Sequence, residues 1–190
     1  MIFKKNFLFS IVFVMIAIIV CFTANAQEVP KAEIPLLITS AGQSPDFNVV
    51  GVLCGRYNIK ATSKGLATVE DLDNMKSIIF VMGGSTKGLG SAGIDEDQEL
   101  ERLTLLLEKA VEQNMAIIGI HIGGEGRRGP LSMKYIEPIS PKCDYLIVTE
   151  DGNKDGYFTD LGEEFNIPTF VIEKSVELGP ILAESFKDNE

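Results

Sequence analysis

The feature that most constrains the fold is a set of five short apolar runs that alternate with helical patterns. These runs are too uniformly apolar to keep one face in water, because a half-exposed strand alternates apolar and polar residues. Strands that are apolar on both faces and joined by helices indicate a parallel sheet covered on each side. We therefore predict one three-layer α/β domain with a mainly parallel sheet, of flavodoxin-like or Rossmann-like type. The predicted strands are Leu36 to Ala41, Ser77 to Met82, Met115 to Ile122, Asp144 to Thr149 and Pro168 to Ile172, with a weaker strand at Ile59 to Thr62.

Helical patterns fill most of the segments between these runs. Asp95 and Gln98 form a capping-box pattern ahead of an apolar stripe, and Asn114 suits the end of that helix. Three further helices are predicted, starting at Ser44-Pro45-Asp46, spanning Thr159 to Phe165, and capped by Ser175. The segment Gly83 to Gly93 is predicted as a glycine-rich loop, and Leu131 to Pro141 as an irregular crossover in which one helical turn is an alternative.

The first 26 residues have the pattern of a secretory signal peptide. Lys4 and Lys5 form a basic start, Phe7 to Phe22 is almost wholly apolar, and Ala24-Asn25-Ala26 supplies a cleavage site. An uncleaved membrane anchor is the alternative, but the apolar core is short for a span. We predict a signal peptide over 1–26, an extension over 27–34 and the domain over 35–187. The mature protein is then exported to the periplasm or the exterior, with no stable membrane anchor.

The charge of the chain limits its partners. Removing the two lysines of residues 1–26 changes the formal net charge from −10 to −12. Such a charge argues against binding nucleic acid or an anionic membrane, because both carry dense negative charge. It permits a local anion site, and another protein of the cell envelope is an alternative partner.

The loops that leave the strands hold many of the glycines and polar residues. In a parallel sheet these loops meet at the carboxyl edge, where ligands bind. The stretch GGEGRRG is the most distinctive, because two adjacent arginines suit a bidentate clamp on an anion. We predict a site for a small polar or anionic ligand here. The candidate ligand-binding residues are Gly42, Gln43, Ser44, Gly83, Gly84, Ser85, Gly123, Gly124, Glu125, Arg127, Arg128, Asn153, Asp155 and Gly156.

An exported hydrolase is the first alternative to a binding module. His121, the chain's sole histidine, with Glu125 or Asp155 could supply acid and base groups. Ser44 lies at a strand-to-helix turn, but a nucleophile elbow needs glycine where Asp46 stands.

The motif GLGSAG has the glycine spacing of a dinucleotide-binding fingerprint. It lacks the required structural context, since it is well separated from the preceding strand.

A calcium-dependent interaction domain is the second alternative, and the sequence predicts no cofactor other than this calcium. The motif DGNKDG matches the first half of a calcium loop, with acceptors at alternate positions. Its candidate ligands are Asp151, Asn153, Asp155 and Asp160. The closing glutamate of such a loop is missing, because Gly162 takes its place. A turn that faces the ligand and caps the next helix is the competing interpretation.

Two cysteines, Cys54 and Cys143, remain after the signal peptide. An exported protein can form disulfides, but residue spacing cannot place two side chains within bonding distance. Both a disulfide and a pair of buried thiols stay open.

The stretches LLITSAGQSPD, IIGIHIGGEGRRG and IVTEDGNKDGYF, after a signal peptide, are similar to a family of small exported bacterial α/β proteins of unknown function. The resemblance covers nearly the whole mature chain. It implies no activity, but it implies that the glycine-rich loops form a shared site.

Overall fold

Within residues 27–187, which a computed structural model describes, six strands form one parallel sheet. The strands are β1 Leu36–Ala41, β2 Ala61–Ser63, β3 Ser77–Met82, β4 Ala116–His121, β5 Tyr145–Thr149 and β6 Thr169–Ile172. The order across the sheet is β2–β1–β3–β4–β5–β6, and every neighbouring pair is parallel. The sequence prediction of a parallel sheet is confirmed, and the weak run near residue 60 is the edge strand β2.

Helices cover both faces of the sheet and give the predicted three layers. The helices are α1 Asp46–Arg56, α2 Thr86–Ala92, α3 Glu96–Glu112, α4 Pro130–Ile139, α5 Tyr157–Phe165 and α6 Leu178–Ser185. Helices α1 and α6 pack on one face, where Val50 and Leu182 share a core with Ile38. Helices α3, α4 and α5 pack on the other, where Leu103, Ile136 and other apolar residues meet the opposite sides of the strands.

The start of α3 matches its sequence signal. Asp95 Oδ1 accepts hydrogen bonds from the backbone amides of Asp97 and Gln98 at 3.0 and 2.8 Å, and Gln98 Oε1 accepts from Asp95 N at 2.9 Å. This is the reciprocal capping box that the spacing predicts. Beyond the helix end, Asn114 takes a left-handed backbone with φ of 52°.

The prediction of a loop over Gly83 to Gly93 was wrong, because the segment contains α2. Ser85 caps this helix by accepting a hydrogen bond from Gly88 N at 3.0 Å. Gly88 is required by a close approach, since a Cβ there would lie 1.9 Å from the Gln43 carbonyl oxygen. Glycine lowers helix propensity, but Gly88 leaves room for the loop that carries Gln43. Tertiary packing therefore outweighs the low helix propensity of this segment. The GLGSAG motif therefore begins inside a helix and not in a loop that could cradle phosphates.

The crossover predicted as irregular over Leu131 to Pro141 is also helical, as α4. Pro130 occupies the first helical turn, where its missing N–H costs nothing. Pro138 lies inside the helix, and a proline at such a position argues against a helix when the sequence alone is considered. Tyr135, Ile136 and Ile139 are buried against the sheet, and their burial holds the helix together.

The two cysteines lie in different cores. Cys54 belongs to the α1 face and Cys143 to the α3 face, and both are free, buried thiols. Burial raises the pKa of Cys54 to about 11 and also raises that of Cys143. The interpretation as two buried thiols therefore fits the structure, and the sheet separates them.

The segment interpreted as a signal peptide lies outside the described residues. Ahead of β1, Ala32 is buried on the domain, and its N donates to Ser185 O at 3.0 Å. Over residues 27–187, no helix combines the length and apolarity needed to cross a membrane.

Candidate functional site

The loops after β1 and β3 meet at the carboxyl edge of the sheet. The chain runs from β1 outward to β2 and then returns to β3 on the other side of β1. This reversal is the switch point where open parallel sheets bind ligands. Gln43 and Gly84 form an antiparallel bridge here, and Ser85 N donates to Gly42 O at 2.8 Å. The predicted residues of these two loops are therefore brought together.

His121, the last residue of β4, lies buried beneath this edge. Its Nδ1 is 2.9 Å from the Met82 carbonyl oxygen at the end of β3. A carbonyl can only accept, so Nδ1 carries the proton and Nε2 is a bare acceptor in the neutral ring. Burial lowers the pKa of His121, and the nearby Arg128 charge lowers it further. The ring stacks on Phe158, with 5.5 Å between centroids.

Ser44, Asp46 and Arg127 lie together beside this histidine. Arg127 Nη1 donates to Ser44 Oγ at 2.9 Å and lies 3.7 Å from Asp46 Oδ2, outside hydrogen-bond distance. Ser44 Oγ also accepts from Asp46 N at 3.3 Å. A Cβ on Gly83 would lie 3.9 Å from Asp46 Oδ2, so this carboxylate is close to the Met82–Gly83 peptide that anchors His121. We name Ser44, Asp46, His121 and Arg127 the edge site.

Unpartnered buried polar atoms concentrate at this edge. Over residues 27–187, the buried side-chain nitrogen and oxygen atoms without a hydrogen-bond partner in the protein are Asp46 Oδ2, His121 Nε2 and Arg128 Nε. Each such atom costs about 1–3 kcal/mol of stability. Asp46 and Arg128 come from the chain segments that follow β1 and β4, and His121 is the last residue of β4. Unpaired buried polar groups are exceptional in native proteins, so these atoms single out this edge of the sheet.

The two adjacent arginines face different surroundings. Arg127 is 42% exposed and reaches the edge site, whereas Arg128 is 9% exposed. Arg128 lies over the rings of Tyr157 and Phe158 at 4.8 and 4.7 Å. Its Nη1 donates to Gly152 O at 2.6 Å, and its Nη atoms pair with both Asp155 oxygens at 3.1 and 3.3 Å. The bidentate geometry predicted for a bound anion is therefore taken by Asp155 in the case of Arg128.

A buried ion pair supports the loop after β1. Glu99 is fully buried in α3, and Arg102 donates to its two carboxylate oxygens at 2.8 and 2.9 Å. Glu99 Oε1 accepts from Gly42 N at 2.8 Å and from Gln43 Nε2 at 3.0 Å. Arg102 also donates to the carbonyls of Ser40 and Ala67 at 2.7 and 2.8 Å. We name Glu99 and Arg102 the anchor pair.

The anchor pair was not predicted from the sequence. The acids of the first turn of α3 read as favourable charges at a helix N-terminus, and only Asp95 and Gln98 have a specific spacing. The available signal is the i, i+3 spacing of Glu99 and Arg102 on a helix. That spacing is common on exposed helices, so it cannot indicate burial by itself.

The candidate calcium ligands are engaged elsewhere. Asn153 Oδ1 accepts from Phe158 N at 2.9 Å, and Asp151 pairs with Lys154 at 2.6 Å. Asp155 pairs with Arg128, while Asp160 lies against the left-handed Gly156 that precedes α5. Across residues 27–187, no group of three or more His, Cys, Asp or Glu side chains could hold a metal ion. In this geometry Asn153 and Gly156 belong to a turn that caps α5.

The three candidate acid–base groups do not converge. Glu125 pairs with Lys154 at 3.1 Å, and Asp155 pairs with Arg128. His121 Nε2 has no protein partner, while Ser44 Oγ accepts hydrogen bonds from Arg127 and Asp46 N.

Two glycines of the loop after β4 allow close contacts with side chains. Gly123 packs on the aliphatic part of Arg127, and Gly124, with φ of 68°, lies against Asp151.

A family model described as "Domain of unknown function (DUF6305)" matches residues 33–186. The comparison with curated protein sequences found no match. The family description is consistent with the resemblance carried by the glycine-rich loops, which also implied no activity.

Several solved structures match this chain at low sequence identity and low TM-score. One is a protein from Desulfitobacterium hafniense DCB-2 named for the G-D-S-L lipolytic family, with 10% identity, a TM-score of 0.40, and coverage of 82% of this chain and 99% of that chain. Another is the esterase EstA from Pseudoalteromonas sp., with 12% identity, a TM-score of 0.33, and coverage of 82% and 96%. Likenesses of this size assign no activity to this chain.

Proposed function

Because this chain belongs to the family described as Domain of unknown function (DUF6305), whose description names no activity, we propose a function from its own residues. The protein is an extracytoplasmic binding module for a small polar or anionic ligand. The ligand binds at the carboxyl edge of the sheet, on the edge site. The extracytoplasmic location rests on the basic start, apolar core and small-residue cleavage site of residues 1–26.

The observation that carries this proposal is the concentration of unpartnered buried polar atoms at one edge of the sheet. Native proteins pair nearly all buried polar groups, so an exception needs a reason. Here Asp46 Oδ2 lies beside the switch point, where the fold favours a ligand, and His121 Nε2 lies at the same edge against Gly152, in the segment after β5. A ligand that offers hydrogen bonds to these atoms recovers part of their desolvation cost on binding.

Arg127 supplies the anion contact in this proposal. Its guanidinium is partly exposed, and Ser44 Oγ holds one of its nitrogens at 2.9 Å. The remaining donors can reach a ligand without a large rearrangement. Arg128 has a positioning role, since it is fixed between Asp155 and two aromatic rings.

Binding is favoured over hydrolysis by the hydrogen bonds of Ser44. A serine nucleophile needs a base within hydrogen-bond reach of its oxygen. Ser44 Oγ is instead contacted by a guanidinium and by a backbone amide. An arginine does not accept a proton, so this arrangement supports positioning of a ligand rather than activation of the hydroxyl.

The test is mass spectrometry of small molecules released by denaturing the purified protein. We expect a polar compound from the natural protein and from Lys87→Ala, which removes an exposed cation on α2 at the same edge. We expect none from Arg127→Ala. If a thermal-shift screen of polar metabolites stabilises neither the natural protein nor Lys87→Ala, and no compound is released, the proposed function is wrong.

A further inference from the structure

The predicted cleavage after Ala26 makes Gln27 the first residue of the exported protein. A glutamine at the start of a chain carries a free α-amine and a side-chain amide on the same residue. The amine nitrogen can attack the amide carbon Cδ and close a lactam ring, which a glutamine inside a chain does not do. The Gln27 side chain is exposed, so a leaving group can pass directly into solvent.

The Gln27 amide lies against the outer side of strand β6. This strand ends the sheet and pairs with β5 on its inner side. In the orientation that satisfies both atoms of the amide, Gln27 Oε1 accepts from Thr169 N at 3.1 Å and Nε2 donates to Thr169 O at 3.2 Å. Thr169 is the first residue of β6, so this contact lies at the amino edge of the sheet, away from the edge site.

The segment that follows Gln27 is fixed on helix α6. Pro30 O accepts from Ser185 Oγ at 2.7 Å, and Ala32 N donates to Ser185 O at 3.0 Å. Ala32 and Ser185 are both buried. The start of the chain is therefore tethered close to a rigid point, and this tether keeps the Gln27 amide near Thr169.

The Thr169 N–H is placed where it favours ring closure. Attack by the amine makes Cδ tetrahedral and moves negative charge onto Oε1. A fixed backbone donor 3.1 Å from this oxygen stabilises that charge, as the donors of an oxyanion hole do. The Thr169 carbonyl holds Nε2 and so fixes the orientation of the amide.

We propose that Gln27 is a modification site, which becomes an N-terminal pyroglutamate with the help of the Thr169 N–H. The bond between the Gln27 α-nitrogen and Cδ forms, and the bond between Cδ and Nε2 breaks. Nε2 leaves as ammonia with one proton from the amine, so the reaction needs no oxidant or second reactant.

The lactam suits the same place on the strand. Its C=O and N–H lie on the same side of the ring, so it offers Thr169 one acceptor and one donor, as the open amide does. Ring closure also removes the positive charge of the α-amine. The backbone groups of an edge strand attract other chains when they are left unpaired, and the lactam covers those of Thr169.

Mass spectrometry of the protein recovered after export of the full chain tests the modification. We expect a first peptide that begins at Gln27 and is lighter by one ammonia, both in the natural protein and in Glu28→Ala, which leaves Gln27 in first place. A synthetic peptide of residues 27–33, carried through the same steps, measures ring closure during handling. A chain that begins at another residue, or an open Gln27, would overturn the proposal.

The role of Thr169 is tested by the rate of ring closure. Protein released from a fusion by a protease that cuts directly before Gln27 starts with an open residue, and its intact mass follows the loss of ammonia. We expect closure to be about tenfold or more faster than in the peptide of residues 27–33. Thr169→Pro removes the N–H at an edge position that tolerates proline, and it should slow closure to the peptide rate. Thr169→Ala keeps the N–H and should stay fast.

Equal rates in the folded protein and the peptide would overturn the role of Thr169, and so would equal rates in Thr169→Pro and Thr169→Ala. The comparison with the peptide needs no variant, so it decides the point if Thr169→Pro does not fold. Release of a polar compound from the edge site does not involve Gln27. The proposed function and the modification therefore fail independently.

Discussion

Two polar clusters lie near each other at the carboxyl edge, and they differ in how completely the protein satisfies them. The anchor pair is buried, and the protein surrounds it with donors and acceptors from the loop after β1, the end of that strand and the segment near Ala67. The edge site includes the buried atoms Asp46 Oδ2 and His121 Nε2, which have no partner in the protein. Burial alone therefore does not mark a functional group. The satisfied cluster supports the loop after β1, and we propose that a ligand completes the unsatisfied cluster.

The largest expected effect is on the anchor pair. Glu99→Ala leaves the buried Arg102 guanidinium and Gly42 N without their carboxylate, so we expect the free energy of unfolding to fall by about 3–5 kcal/mol. Urea denaturation measures it. Glu108→Ala, an exposed acid on the same helix, should change the free energy by no more than about 0.5 kcal/mol.

Glu99→Gln keeps the shape of the side chain and should give an intermediate loss, which covers the case in which Glu99→Ala does not fold. Equal stability of the Glu99 and Glu108 variants would show that the anchor pair is not what holds the β1 loop.

A smaller effect is expected at Arg128, which borders the edge site without belonging to it. Arg128→Lys keeps the charge but loses the planar stack on Tyr157 and Phe158 and the paired bonds to Asp155. We expect a loss of about 1–2 kcal/mol in the free energy of unfolding. Asp155→Asn should cost less, because its carboxylate is 62% exposed and such pairs contribute little. A larger loss for Asp155→Asn than for Arg128→Lys would contradict the importance of the stack.

The pH dependence of stability reports on His121. Burial lowers the pKa of His121 in the folded protein below the usual value of 6.5. The unfolded chain therefore binds the proton first, and stability is lost as the pH falls below about 6.5 toward the lower folded-state pKa. The contribution to the slope cannot exceed about 1.4 kcal/mol per pH unit for one proton.

Urea denaturation between neutral and mildly acidic pH measures this slope. His121→Gln should flatten it, because His121 is the single histidine of the chain. An identical slope in His121→Gln would mean that other groups set the pH dependence and that the imidazole is not held neutral by the fold.

The smallest effect on stability is expected at Asp46. Its Oδ2 has no hydrogen bond in the protein to lose, so Asp46→Asn should change the free energy of unfolding by less than about 1 kcal/mol. This contrasts with Glu99, another acid of the same edge. A loss as large as that of Glu99→Ala would show that Asp46 is a structural group. The distinction between the anchor pair and the edge site would then be wrong.

Sequence patterns predicted the framework better than the site. The strands follow from runs that are apolar on both faces, and the carboxyl-edge rule then brings the loops at Gly42 and Gly83 together. Helix α2 was missed because its glycines serve a contact with Gln43, far away in sequence. Local propensity carries no trace of such a contact.

The roles within the site depend on long-range packing that a sequence does not contain. Arg127 and Arg128 are adjacent and chemically identical, yet one reaches Ser44 and the other stacks on Phe158. Their directions are set by the turn after β4 and by the start of α5, which lie about 30 residues apart. Glu99 likewise acquires its role only when the β1 loop packs on α3.

The most direct test of the edge site is the ¹⁵N spectrum of the His121 ring. Because the chain has one histidine, the two ring signals of protein labelled at histidine are assigned without ambiguity. We predict a protonated Nδ1 and a bare Nε2 at neutral pH in the free protein. Adding a compound whose binding requires Arg127 should shift the Nε2 signal toward a hydrogen-bonded position and leave Nδ1 in place. A protonated Nε2 in the free protein would contradict the tautomer assigned to His121. An Nε2 signal that such a compound does not move would contradict the place of His121 in the edge site.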